Sequence, residues 1–152
     1  MANINMTPSG TNTAGSGVGS HGVRHGCWEA FIDIADVLTK KGSALAQGDL
    51  IQVFDIPVQM NVLNGQIKVI EAFNSTTCTL NLGTDSDDDQ WVDGLDATAV
   101  GYGTSLCANE YFATANTVDV DLETLTGTLT KGKIWVCITW EFLGLKDSIW
   151  PH

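Results

Sequence analysis

The sequence predicts an all-β fold: an antiparallel β-sandwich, jelly-roll-like, with at most one short helix near residues 90–99. Three observations carry that expectation. Apolar and polar residues alternate with period two in short runs. Clusters of Gly, Asn, Asp and Pro separate those runs at short, regular spacing. No apolar stripe of helical period persists beyond three turns, and no internal repeat is visible. A chain of 152 residues with 43% apolar side chains suffices for one domain with one sizeable core.

The elements follow in order. Residues 1–26 are dominated by Gly, Ser, Thr and Asn, with too little apolar surface to offset ordering entropy, and are expected to form a flexible arm. The domain proper is expected over residues 27–142. Trp28 to Val37 alternates as a half-buried strand, and Lys40-Lys41-Gly42 and Gln47-Gly48-Asp49 punctuate a loop. Leu50 to Ile56 reads as a strand that stops at Pro57, which cannot donate to a ladder. Val58, Met60 and Val62 alternate up to Asn64-Gly65, a strong hairpin signal, and Gln66 to Phe73 returns as its partner. Thr77 to Leu82 is the next strand. Trp91, Val92, Leu95 and Ala99 are spaced along one face of a short helix that Asp89 would cap. Residues 101–116 carry weak signals, with one irregular strand around Glu110–Ala113. Val118, Val120 and Leu122 alternate with Asp119, Asp121 and Glu123, as in a strand with one wet face. Ile134 to Phe142 is the most β-prone segment and is expected at the centre of a sheet. Residues 143–152 form a tail that Pro151 closes.

Composition excludes several function classes. The net charge is −11, and the seven basic residues form no cluster larger than a pair, so no nucleic-acid partner is expected. No apolar run approaches the ~18 residues of a membrane helix, and Met1 to Gly10 has no signal-peptide character, so synthesis in the cytoplasm and no membrane partner are expected. Cys27, Cys78, Cys107 and Cys137 contain no Cys-x-x-Cys pair and read as buried thiols acting as small hydrophobes.

Chemistry-bearing patterns are few. Six of the 18 acidic residues fall within twelve positions: Asp85, Asp87, Asp88, Asp89, Asp93 and Asp96. Laid on a calcium loop, Asp85, Asp87 and Asp89 take alternate ligand positions, Trp91 gives a carbonyl, and Asp93 and Asp96 close the set. Gln90 stands where the sharp turn wants Gly, and Asp96 replaces the bidentate Glu. The block therefore reads better as a solvated hairpin tip whose Asp side chains make Asx turns. His21, His25 and His152 lie outside the predicted strands, so neither a cupin-type metal site nor a nucleophile–base pair is expected. Asp33/Asp36 and Asp119/Asp121 read as solvated strand-face carboxylates. No catalytic, cofactor-binding or metal residues are therefore assigned, and no cofactor or small-molecule substrate is expected. Trp28, Trp135 and Trp140 lie on two strands that can pair. Trp135 shares a semi-polar side with Cys137 and Thr139, where it either packs in the core or meets a partner, and Trp150 is a candidate anchor.

The runs Gly48–Pro57, Val69–Phe73, Thr79–Asp85, Trp91–Gly94 and Gly132–Val136 lie along most of residues 28–142. In them the chain resembles a family of small virion proteins encoded by tailed bacteriophages. That resemblance implies a sandwich serving as a capsid decoration (cement) protein or another structural virion component, with no catalytic residues. It also implies a homo-oligomer on the capsid exterior, with the major capsid protein and copies of itself as partners. The alternatives are a tail or head–tail connector protein, or a carbohydrate- or Ca-binding β-sandwich module.

Overall fold

A computed structural model describes residues 1–6 and 24–142. Eleven elements follow in chain order: β1 (Asn3–Asn5), β2 (Arg24–Asp33), α1 (Ile34–Lys41), β3 (Leu50–Ile56), β4 (Met60–Glu71), β5 (Thr77–Gly83), β6 (Val92–Asp96), β7 (Gly101–Tyr102), β8 (Glu110–Phe112), β9 (Asn116–Thr126) and β10 (Lys133–Phe142).

They form two sheets, one ordered β1-β3-β9-β5-β6 and the other β2-β10-β4-β7, with β8 also paired to β4. Leaving β1 aside, the pairing is that of a folded-over hairpin. First meets last (β2 with β10) and second meets second-last (β3 with β9). Third meets the position shared by β7 and β8 (β4), and β5 meets β6. Rolling that hairpin adds β10–β4 and β9–β5, which closes two four-stranded sheets. This is jelly-roll topology. The expected fold class is the observed one.

The core lies between the sheets. Val118, Val120 and Leu122 of β9 and Leu80 and Leu82 of β5 are fully buried on one side; Ile134, Val136 and Ile138 of β10 and Ile67 and Val69 of β4 are fully buried on the other. At one end Trp28 packs against Trp140, ring centroids 5.2 Å apart, and against Phe54 at 6.0 Å. Strand β10 runs between β2 and β4, the central place expected of the most β-prone segment.

Three expectations are corrected. The short helix is not near residues 90–99 but at Ile34–Lys41, inside the run read as a strand to Val37. Asp33 caps it by accepting from the Ala35 N–H at 2.9 Å, Gly42 ends it at φ 73°, and Ile34 and Val37 face the core. Residues 92–96 are strand β6, paired to β5. Gly94 sits at φ 65°, and the Asp96 carboxylate accepts from the Thr98 N–H at 2.9 Å, which favours a turn over helix continuation.

Asn64-Gly65 is not a hairpin. Strand β4 runs through it from Met60 to Glu71 and pairs Gly65 with Ile138. A Cβ at Gly65 would stand 2.9 Å from the Cβ of Trp91, so the glycine makes room for the fully buried indole. The break in pairing expected there is a register shift between Thr139 and Trp140.

Of the segment expected to be an arm, Asn3–Asn5 adds a parallel strand to β3 and Arg24–Gly26 opens β2. Residues 7–23 and the tail at 143–152, with His21, Trp150 and His152, lie outside the described residues. Asp49 secures β1: it accepts from the Ala2 N–H at 2.7 Å and the Ala46 N–H at 2.8 Å and pairs with the Lys41 ammonium.

Candidate functional site

The acidic block is a hairpin connection, as expected, but it is not simply solvated. The Leu82 carbonyl accepts from the Trp91 N–H at 2.9 Å, which closes the loop between β5 and β6. The Thr84 N–H donates to the Asp87 carbonyl at 2.8 Å, turning the chain back over Gly83. A Cβ on Gly83 would collide with that same carbonyl, so the loop lies close on the end of β5.

Beneath it are the outward-facing carboxylates of β9. Asp119 stands between Gln52 of β3 and Gly83 of β5, and Asp121 between Leu50 and Asn81. Read as solvated residues, they are in fact 2% and 7% exposed. Alternation correctly places them on the outer face of the sheet, but the returning loop covers that face. Burial pushes Asp119 up to about 6, with the Asp85 charge adding to it and the Thr117 hydroxyl opposing. Burial also pushes Asp121 up to about 6, reinforced by Asp88, Glu123 and Asp49. Asp88 is within side-chain hydrogen-bonding reach of Asp121. Above, ligand atoms of Asp87, Asp88 and Asp89 lie within 4.8 Å of one another. A side-chain hydrogen bond with Asp89, then slight desolvation and the charges of Asp89, Glu110 and Asp88, raises the exposed Asp87.

The calcium-loop ligand set drawn from the sequence does not assemble. The Trp91 carbonyl accepts from the Leu106 N–H at 2.9 Å. Asp93 is exposed on β6, and Asp96 is engaged by the Thr98 N–H and hydroxyl. What comes together instead is Asp85 near Asp119 and Asp88 near Asp121, with Asp87 and Asp89 grouped beside Asp88. The sequence signal for that set was present in the Asp-rich block and the Asp119/Asp121 alternation, but not the roughly thirty-residue contact joining them.

The outer face of the other sheet carries a second feature. Register sets Phe31, Trp135, Lys68 and Tyr102 in one row across β2, β10, β4 and β7. Phe31 is 74% exposed and Tyr102 63%, and the Lys68 ammonium sits 4.6 Å from the Tyr102 ring centre. Trp135 lies half-buried on this face, outside the core that takes Trp28 and Trp140. Ile70 is also partly exposed there. The pairing of β2 with β10 was legible; the aromatic row needed the register of four strands. Of the cysteines expected to be buried, Cys78 and Cys137 are, whereas Cys27 and Cys107 are exposed, and on the same face Cys27, Glu29 and Cys137 place ligand atoms within 4.8 Å. Burial and then a hydrogen bond with Cys27 push the Cys137 thiol up to about 12, which disfavours the thiolate a metal needs.

A cleft of about 700 Å³ is lined in part by Trp28, Gln52, Asp55, Asp85 and Thr117. Trp28 is 8% exposed, leaving little ring face on which a sugar could stack. His25 is exposed on β2, opposite Glu141.

No protein-family model matches the chain. No curated protein matches it either. Solved structures do share its fold. A chain of the capsid of Ralstonia phage GP4 superposes with a TM-score of 0.53 at 17% identity, covering 95% of this chain and 100% of that one. A chain of the acidic stable capsid structure of Helicobacter pylori bacteriophage KHP30 gives 0.54 at 12% identity, covering 80% and 94%.

Proposed function

We propose that this protein is a non-enzymatic structural component of a phage virion, and specifically a capsid decoration protein that braces neighbouring major capsid subunits from outside the shell. One observation carries the reading: the jelly roll aligns over 95% of this chain with the whole of a chain in a phage capsid. The row of exposed Phe31 and Tyr102 with half-buried Trp135 supports it, since aromatic side chains on a stiff sheet are suited to anchoring a protein interface. The net charge of −11 suits a face turned away from packaged DNA. The mechanism is mass action: a protein that binds only the assembled lattice stabilises it against opening. Each copy would bury roughly 1,200–2,000 Å² against its neighbours, and contacts between copies would add avidity.

The test is binding of the full chain to purified undecorated capsids, with copy number counted and position found by electron microscopy. Occupancy on the order of hundreds of copies at capsid-subunit junctions is the expected result. A ring of about six or twelve copies at the neck or tail would replace decoration with a connector role. No affinity for any viral shell or tail would overturn the virion reading altogether. A variant lacking residues 7–23 examines that part of the expected arm, residues 1–26, and undiminished binding would remove the segment from the mechanism.

A further inference from the structure

We propose that the loop 84–90 and the outer face of β9 together form a binding site for one divalent cation of the Ca²⁺ type. Asp85, whose charge acts on Asp119, and Asp88, within hydrogen-bonding reach of Asp121, would draw in over the ion from above, with Asp119 and Asp121 beneath it.

The clustering of acids is only the start of the case. Asp119 is 2% exposed, and its Oδ1 has no hydrogen-bond partner among the described residues, whereas its Oδ2 accepts from the Thr117 hydroxyl at 3.1 Å. A buried carboxylate oxygen left bare is costly unless something positive meets it. Two further acceptors around the loop are also buried and unpartnered: Oε1 of Gln90 at its end, and Oε2 of Glu110, whose charge acts on Asp87. The ion pairs among described residues do not reach this place: Lys41 is taken by Asp49, Lys131 by Glu71 and Lys133 by Asp33. Anionic oxygens are thus gathered from a loop and a strand without an ion-pairing side chain among the described residues.

The donors choose the ion. All are hard oxygens, which favours Ca²⁺, Mg²⁺ or Mn²⁺ over softer metals. They come from an irregular loop facing a strand, which suits the variable, six-to-eight-oxygen coordination of Ca²⁺ better than the strict octahedron of Mg²⁺. The bound ion would tie the β5–β6 connection to β9, fastening one end of the sandwich.

The full-length protein, freed of metal by chelation, is titrated with CaCl₂ at pH 7 and followed by calorimetry and thermal melting. One binding event per chain and a rise in Tm of roughly 5–10 °C at a hundred-fold excess over Kd are expected. Asp119→Asn should weaken Ca²⁺ binding at least ten-fold. Asp88→Asn, at an exposed position where the isosteric amide keeps hydrogen-bonding capacity toward Asp121, should weaken it as well and guards against a folding artefact. No calorimetric binding up to millimolar CaCl₂ would overturn the proposal, as would wild-type affinity in both variants. Capsid binding is not the readout, so failure here leaves the virion reading standing.

Discussion

Acidification should stabilise this protein, and the magnitude can be worked from two side chains. Asp119 and Asp121 each rise from 3.8 to about 6 on folding, chiefly because the loop buries them. The folded chain therefore binds protons more tightly than the unfolded chain, and stability falls as pH climbs through the window from about 4 to about 6. A rise of some two units corresponds to about 3 kcal/mol per group, since one unit is 1.36 kcal/mol. Asp119 and Asp121 lie close together, so a joint gain of about 3–5 kcal/mol between pH 7 and pH 4.5 is the working figure. That is a Tm increase on the order of 10 °C for a domain of this size. Asp33, Asp49 and Asp96 have lowered values, so their contributions persist above 3.8 and are lost only at lower pH, outside the window. Calorimetric melting at pH 7, 6, 5 and 4.5, with chelator and constant ionic strength, measures the effect. In Asp119→Asn the slope should shrink by about half, and in the double variant with Asp121→Asn it should fall to the smaller remainder that the raised Asp87 contributes. A wild-type Tm that is flat or falls from pH 7 to pH 5 would refute the reasoning, as would an unchanged slope in the double variant.

Three other perturbations are sharply posed. Gly65→Ala pushes a methyl group against Trp91 and Leu82 and should cost about 1–3 kcal/mol in chemical denaturation; a neutral result would mean that the indole does not lie against β4. Asp49→Ala strips partners from the Ala2 and Ala46 N–H groups and from Lys41, and should cost about 2–4 kcal/mol, with hydrogen exchange rising first across Asn3–Asn5. Phe31→Ser, at a 74% exposed position, should leave stability within about 0.5 kcal/mol while lowering affinity for undecorated capsids at least ten-fold; full affinity would remove this face from the interface.

Much of the fold was legible because jelly-roll strands are mostly half-buried and therefore alternate. Leu50–Ile56 was bounded correctly: it alternates and ends against Pro57. Ile134–Phe142 was placed centrally because a strand covered on both edges can be rich in Ile, Trp, Val and Thr. The errors came where one local pattern had two physical explanations. Ile34, Val37 and Leu38 satisfy a helical face as well as the end of an alternating run, and the arbiter was the Asp33 cap together with Gly42. Asn64-Gly65 carries the strongest turn signal in the chain, yet its glycine answers a contact with Trp91, twenty-six positions away. A local reading cannot distinguish a glycine needed for its dihedral freedom from one needed for its missing side chain.

The site was less legible for a related reason. Strand alternation fixes which face a residue takes, but it does not say what covers that face. Val118–Leu122 announced that Asp119 and Asp121 point away from the core, and solvent was the simplest cover. The cover is instead the β5–β6 loop, and the loop was visible in sequence only as an acidic tract. Each half reads as ordinary surface when taken alone; six carboxylates become a chemical feature only once Gly83 lets the loop return over β9. The same holds on the opposite sheet, where Phe31, Trp135 and Tyr102 are ordinary aromatic residues until register aligns them. The fold followed from periodicity within strands, whereas both candidate surfaces arise from juxtaposition between strands far apart in the chain. In a jelly roll the pairing of first with last and second with second-last makes those separations large by construction.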